Sequence, residues 1–290
     1  MADRMPLASI NQLFTDAWAL TKSRFWSLLL LWLVQGLIIG LLVAVVLAVL
    51  IGGSLGSLFS GSAEFAALTS ETAVDASIVN SFLASFGPMI ITVVVVLILA
   101  SLIFGPMFQA ANIAMAASEE KIGLGTALRK GWRKFIPVVT AGLVMAFLVL
   151  GGVFLFVIPG VVLVILFSFA LFEIVLHDVS PMQALRNSAG MVWKYFWPVL
   201  GRMIILMAVA MGIGLISDFL SQQQQPILSL VDLALNLSFS VFSMMYIVAL
   251  YRQLKAVAEG VSMTLTVPAI LSLLGWVGLA LLIGSALNTI

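Results

Sequence analysis

The sequence contains no cysteine, a single histidine and few charged residues. The absence of cysteine excludes disulfides and thiolate metal sites, and one histidine without a carboxylate at ligand spacing argues against a metal site at His177. Charged residues make up 9% of the 290 residues and hydrophobic residues 63%, whereas a soluble domain carries about 25% charged residues. This composition excludes an ordinary soluble domain and predicts one integral membrane unit.

Seven stretches are apolar over the length of about 20 residues that a helix needs to cross a bilayer. Only a short "IPG" sequence separates the third from the fourth. Pro159 and Gly160 suit a chain reversal there, because proline donates no backbone hydrogen bond and glycine tolerates the φ of a turn. A single kinked helix is the alternative, but about 40 residues would overshoot the bilayer. The predicted spans are 25–53, 88–117, 135–158, 160–177, 196–217, 227–251 and 266–287.

The predicted fold class is therefore all-α, a polytopic integral membrane helical bundle with six core spans and a seventh at the C-terminus. If the spans alternate, all 13 lysines and arginines fall on one side of the membrane. The positive-inside rule then places the N-terminus in the cytoplasm and the C-terminus outside. A miscounted span would scatter the basic residues over both sides, so this asymmetry supports the count as well as the orientation.

An amphipathic segment precedes spans one, three and five. The first of these begins with a capping signature, Ser9 and Gln12. The last begins with another, Ser180, Pro181 and Gln183, and ends in aromatic residues typical of headgroup depth. "ALR" occurs at 127–129 and 184–186, and a Phe-x-Pro-Val sequence follows each occurrence. We therefore expect amphipathic helices along the cytoplasmic interface, each followed by a hairpin of spans. The predicted membrane domain, 1–255, contains three repeated units, 7–117, 123–177 and 180–254, and 256–290 add a further transmembrane helix.

One part of the chain resembles a known family. "VIPGVV" (157–162), "LHDVSPMQALRNS" (176–188) and Trp193 resemble the YciC-type family of uncharacterised bacterial inner-membrane proteins. That family is similar to the membrane domain of some glycerophosphoryl diester phosphodiesterases. The resemblance implies an all-helical polytopic fold in the bacterial inner membrane, and it implies no established activity. The apolar segment 266–287 departs from the six-span pattern.

Polar side chains within spans are costly in hydrocarbon and are therefore candidate functional residues. On span six, Asp232, Asn236 and Ser240 share one helix face. They either line a polar path or headgroup pocket, or form interhelical hydrogen bonds. On span two, Gln109 and Asn112 carry the same two interpretations.

Glu173 and Arg202 lie near the cytoplasmic ends of consecutive spans. The structural interpretation is an ion pair, or an arginine whose head reaches towards water. The functional alternative is a proton or anion relay. Cations of the amphipathic segments are predicted to bind anionic lipid headgroups, each contributing about 1 kcal/mol. These cations are Arg129, Lys130, Arg133, Lys134, Arg186 and Lys194.

The sequence shows no nucleophile–base pair, no paired catalytic carboxylates and no nucleic-acid-binding surface. We therefore expect no catalytic residues, no cofactor and no bound metal. The predicted function is a non-enzymatic, lipid-interacting scaffold or partner-binding module, whose partners are anionic membrane lipids, other membrane proteins or a second copy of the chain. The alternative is a transporter or translocator of a lipid or another amphipathic small molecule.

Overall fold

A computed structural model describes residues 7–69, 76–223, 225–258 and 260–287. Within these ranges the chain forms helices and no strand, which confirms the predicted all-α class. The helices are α1 (Ile10–Thr69), α2 (Ala76–Ala117), α3 (Leu124–Arg133), α4 (Phe135–Leu155), α5 (Val157–Phe167), α6 (Ala170–His177), α7 (Pro181–Lys194), α8 (Phe196–Gln222), α9 (Pro226–Val257) and α10 (Thr266–Leu287).

The described residues contain seven helical segments that are long and apolar enough to cross a membrane, in agreement with the predicted count. The fourth consists of α5 and α6 together, and α3 and α7 are too short to be among them. The fold is therefore that of a polytopic membrane protein. The segments are Ile10–Ala48, Ile90–Ala117, Phe135–Leu155, Val157–His177, Phe196–Gln222, Pro226–Val257 and Thr266–Leu287.

The chain divides into two compact units. One comprises 31–106, within helices α1 and α2, and its described side chains include many exposed leucines, isoleucines and valines, as expected for lipid-facing helices. The other comprises 1–30 together with 107–290 and contains every site considered below. The three repeated units concern internal sequence similarity, and their boundaries stay a prediction.

The amphipathic segments differ in how they join the spans that follow them. Helix α1 begins with its predicted cap, where Ser9 Oγ accepts from the Gln12 N–H at 3.2 Å, and it continues without a break to Thr69. The prediction of a separate interfacial helix before span one is therefore wrong. The helix continues into the span because no proline or glycine interrupts 10–35. By contrast, α3 ends at Arg133 and α7 at Lys194, and a single C-cap residue separates each of them from the Phe-x-Pro-Val sequence that follows.

The hairpin of α4 and α5 is present, but its turn is not at Pro159 and Gly160 as predicted. The chain reverses at Phe156, which is extended (φ −162°, ψ 153°), and both predicted residues lie in the first turn of α5. Proline is tolerated in a first turn because an N–H there has no intrahelical partner. Gly160 packs so closely on Val153 that a Cβ would collide with it, so glycine allows α4 and α5 to approach.

The last helix, α10, packs along α4. Ser272 Oγ and Trp276 Nε1 both donate to the carbonyl of Phe147, at 3.1 and 3.2 Å. A Cβ on Gly275 would collide with the carbonyl oxygen of Gly151. The C-terminal segment is thus held by close backbone contact and by hydrogen bonds, in addition to apolar packing.

We predict that Gly275→Ala destabilises the protein by about 1–3 kcal/mol, because the new methyl group overpacks the α4–α10 contact. Gly278 lies on the same helix, and a Cβ there would meet no atom within 4 Å. Gly278→Ala is therefore the matched control and should leave stability unchanged or slightly raised. Thermal unfolding of both variants in detergent measures the difference, and equal melting temperatures would contradict the predicted contact.

Candidate functional site

Cations meet the ends of several helices at one end of the larger unit. We call this region the basic end. It is defined by five cations, Arg24, Lys130, Lys134, Arg252 and Lys255, and it includes the C-terminal ends of α2 and α6. Three of the five side chains make hydrogen bonds or ion pairs with residues more than 80 positions away. Residues that the sequence assigned to one side of the membrane thus come together in space.

Two arginines bind the C-terminal end of α2. Arg24 is buried and donates to the carbonyls of Met115 and Ser118, both at 2.6 Å. Arg252 donates to the carbonyl of Ala117 at 3.1 Å. The last carbonyls of a helix have no intrahelical partner and carry the negative end of its dipole, so two guanidinium groups satisfy them and offset that dipole. In the sequence analysis these arginines served only to predict the orientation of the chain in the membrane, because no local pattern links them to α2.

Glu173 of α6 is completely buried and joins three helices. Its carboxylate accepts from Lys255 Nζ at 2.7 and 3.0 Å and from the Tyr251 hydroxyl at 2.7 Å, both on α9. Asn187 of α7 donates to the same carboxylate at 3.0 Å, and Gln183 donates in turn to Asn187 at 2.7 Å. A buried carboxylate is tolerated only when it is paired and hydrogen-bonded, and these contacts supply both.

Of the interpretations left open for Glu173 and Arg202, the ion pair is wrong. Arg202 of α8 is also buried, but it donates to the backbone carbonyls of Ala8 at 2.5 Å and Pro198 at 3.3 Å. Its own carbonyl accepts from the Tyr246 hydroxyl at 3.1 Å. The two residues lie on consecutive spans, yet α7 intervenes in the chain and offers Asn187 to Glu173. No ion pair joins them, and a relay between them stays a prediction.

Helix α7 is packed within protein along most of its length. Ser188 is buried, and its hydroxyl enters the break between α5 and α6, where it donates to the Leu166 carbonyl at 2.7 Å and accepts from the Phe169 N–H at 3.1 Å. Helix α7 was expected to lie along the interface, but its apolar residues Leu185, Ala189 and Val192 are buried, and the helix packs against α4, α5 and α6. On α3, by contrast, only Ala127 and Gly131 are buried.

Six cations were predicted to bind headgroups, and two of them have partners within the protein. Lys134 is buried and forms an ion pair with Asp178, which lowers the pKa of that carboxyl. Asp178 also ends α6 in a left-handed conformation, with φ 57° and ψ 24°. Lys194 is half-buried and donates to the Val257 carbonyl at 3.5 Å. Lys134 is therefore corrected to a structural cation, whereas Lys194 keeps its charge and headgroup binding by it stays a prediction. Arg129, Arg133 and Arg186 are exposed, and Lys130 is half-buried.

The polar stripe of α9 lies away from the basic end. Asn236 is exposed and donates to Asp232 Oδ1 at 2.9 Å and to Ser217 Oγ of α8 at 2.8 Å. Ser240 is also exposed and does not join this group. The stripe thus links two neighbouring helices. On α2, Gln109 is exposed and Asn112 is half-buried, and neither borders the cavity at the basic end.

A cavity of about 690 Å³ opens at the basic end. Its cationic lining comprises Lys130 of α3 and Arg252 and Lys255 of α9, and His177 borders it as well. Across the residues described, no cluster of three or more potential ligands could hold a metal ion. Three basic side chains and one carboxylate, that of Glu119, thus border the cavity. Its full lining is Ala117, Ser118, Glu119, Lys130, Leu176, His177, Tyr251, Arg252, Lys255 and Ala256.

Residues 122–254 match the family described as Domain of unknown function (DUF7847). This match covers less than half of the chain, from just before α3 almost to the end of α9, and includes Glu173, Asn187 and Tyr251. No curated protein and no solved structure matches the chain. The chain thus contains an uncharacterised domain, and most of the basic end lies within it.

We predict that Glu173→Gln lowers the free energy of unfolding by about 3 kcal/mol, because Lys255 then keeps its charge in a partly buried position without a counterion. Adding Lys255→Met should restore much of the loss, since the pair is then removed together. Glu120 is an exposed carboxylate. Glu120→Gln is therefore the control and should change stability by less than about 0.5 kcal/mol.

Denaturant titration in mixed micelles, followed by circular dichroism, measures all four proteins. If the single and double variants are equally destabilised, Lys255 is not the partner that matters. If Glu120→Gln costs as much as Glu173→Gln, the effect does not come from burial.

Proposed function

We propose that this chain is a non-enzymatic, multi-pass protein of the bacterial inner membrane that binds anionic lipid headgroups at its basic end and acts as a lipid-interacting scaffold or partner-binding module. The observation that carries the proposal is the cavity of about 690 Å³ bordered by Lys130, Arg252 and Lys255. Its volume lies within the range of about 300–1,000 Å³ that small-ligand pockets occupy.

The charges around the cavity favour an anion. Lys255 is neutralised by Glu173, but Arg252 is held by carbonyl groups, which carry no formal charge. Lys130 has no ion pair among the residues described. Glu119 borders the cavity with one negative charge. The cations therefore outnumber the carboxylates, and a phosphate group entering the cavity would meet an excess of positive charge.

The lining of the cavity supports a role without catalysis. The hydroxyl group of Ser118 could in principle act as a nucleophile, but it donates to the Ala114 carbonyl one turn earlier in α2. Tyr251 donates to Glu173. Both hydroxyls are thus engaged in holding the structure, and neither donates to His177.

The proposal includes a cytoplasmic N-terminus. The basic end gathers the cations that the positive-inside rule assigns to the cytoplasm. The resemblance of the 157–193 region to the YciC-type family and to the membrane domain of glycerophosphoryl diester phosphodiesterases supports an inner-membrane location, and it adds no activity.

The transport alternative has less support from the geometry. Its polar path required Asp232, Asn236, Glu173 and Arg202 to line one route. Glu173 and Arg202 have separate partners, and Asn236 is exposed at the contact of α8 and α9. Binding without translocation therefore accounts for these contacts better.

We predict that Lys130→Gln weakens the binding of phosphatidylglycerol about fivefold, because one cation near a headgroup contributes about 1 kcal/mol. Arg129 is the neighbouring cation on α3, but it does not border the cavity. Arg129→Gln should therefore have a smaller effect. Native mass spectrometry of the protein titrated with phosphatidylglycerol or phosphatidylcholine measures the binding of both lipids.

Two results would contradict the proposal. One is equal retention of the anionic and the zwitterionic lipid by the unaltered protein. The other is equal loss for Lys130→Gln and Arg129→Gln, which would indicate attraction to a charged surface rather than binding in the cavity.

A further inference from the structure

A second cavity, an apolar groove of about 360 Å³, lies between α5 and α10. We call it the α5–α10 groove. It shares no lining residue with the cavity of the basic end, and every side chain that lines it is apolar. Its lining is Ile158, Pro159, Val162, Leu163, Leu166, Trp193, Met263, Val267, Pro268 and Leu271.

The groove runs along α5, away from the hairpin turn. Ile158 is close to the reversal at Phe156, and Leu166 is eight residues further, which is about 12 Å along a helix. Trp193 of α7 and Met263, before α10, also border the groove. A volume of about 360 Å³ over about 12 Å of helix leaves a cross-section of only about 30 Å². The longer walls of the groove are α5 and α10, and α7 contributes Trp193.

Helix α7, which borders the groove with Trp193, also carries the cation Arg186. The Met263 N–H donates to the Arg186 carbonyl at 3.0 Å. Gly190 packs on Ser262 and Met263, where a Cβ would come within 2.8 Å of Ser262. Arg186, Gly190 and Trp193 are spaced i, i+4 and i+7, so they share one face of α7. The face that carries Trp193 to the groove thus also carries a guanidinium group.

The Arg186 side chain is available to bind an anion. It is exposed, and within the described parts of the chain no hydrogen bond or ion pair involves its guanidinium group. This distinguishes it from Arg24, Arg202 and Arg252, which hold backbone carbonyls. A guanidinium group matches phosphate geometry through two parallel hydrogen bonds.

We propose that the α5–α10 groove binds one acyl chain of an anionic phospholipid whose phosphate pairs with Arg186. An acyl chain fits the groove better than a partner helix does, because a helix with its side chains is about 10 Å across. The apolar walls match the chain, and the arginine on the shared face of α7 matches the phosphate. This site goes beyond the proposed function, since it uses another cavity and other residues.

The test uses photoactivatable phosphatidylglycerol and phosphatidylcholine that carry a diazirine on one acyl chain, incorporated in nanodiscs with the full-length protein. Crosslinked peptides are identified by mass spectrometry. We expect the phosphatidylglycerol probe to label 158–166 and 263–271 in the unaltered protein, and the phosphatidylcholine probe to label them less.

Val162→Trp should reduce this labelling several-fold because it fills the groove. Val164 lies on the same helix, is 53% exposed and does not border the groove, so Val164→Trp is the matched control. Leu271→Trp fills the groove from α10 and should have the same effect as Val162→Trp, which guards against a folding defect in either variant.

Arg186→Gln should lower labelling by phosphatidylglycerol about fivefold. It should lower labelling by phosphatidylcholine less, because the choline ammonium group offsets the charge of the phosphate. Lys130→Gln should leave labelling of the groove unchanged. The proposal for the groove and the proposal for the cavity at the basic end can therefore be disproved separately. Equal labelling by both probes, equal effects of Val162→Trp and Val164→Trp, or crosslinks between two copies of the protein at the groove would overturn the proposal.

Discussion

Hydrocarbon offers no hydrogen-bond partner, and the arrangement of the basic end depends on that constraint. A carbonyl at a helix end, or a charge near the membrane, must find its partner within the protein, in water or at the headgroups. The carbonyls that end α2 accept from Arg24 and Arg252, and the break between α5 and α6 is filled by the Ser188 hydroxyl. The Glu173 carboxylate is enclosed by α7 and α9. The end of α2 and the break between α5 and α6 are thus fixed by side chains from other elements.

The same contacts decide which cations keep a net positive charge. Where a cation meets a carboxylate, as Lys255 meets Glu173 and Lys134 meets Asp178, its charge is offset inside the protein. Where it meets a carbonyl, as Arg252 does, the helix end is satisfied while the formal charge persists. Cations that a carboxylate neutralises and cations that keep a net charge are therefore neighbours at the basic end, and burial alone does not separate them.

The sequence predicted the features that arise from local composition and spacing. The seven spans and the caps at Ser9 and Ser180 depend on residues a few positions apart, and the structure confirms them. The turn at Pro159 was misplaced by three residues, because proline suits the first turn of a helix as well as a loop.

The contacts that build the candidate site are long-range, and local spacing does not predict them. Glu173 and Lys255 are 82 residues apart, and Arg24 lies 91 residues from the carbonyl of Met115. Periodicity shows that these residues are near helix ends, but it does not show which ends meet. It likewise does not show that Gly275 meets Gly151, because many glycines in the spans have open space around them.

The central claim, that the cations of separate helices lie on one side of the membrane, is tested most directly by the labelling of single cysteines. The chain has no cysteine, so each introduced thiol reports alone. Arg129, Arg186 and Asp218 are exposed positions on α3, α7 and α8. With a membrane-impermeant maleimide, Arg129→Cys and Arg186→Cys should react in inverted vesicles and Asp218→Cys in intact spheroplasts. Reaction of Arg129→Cys and Arg186→Cys from opposite sides would contradict the account.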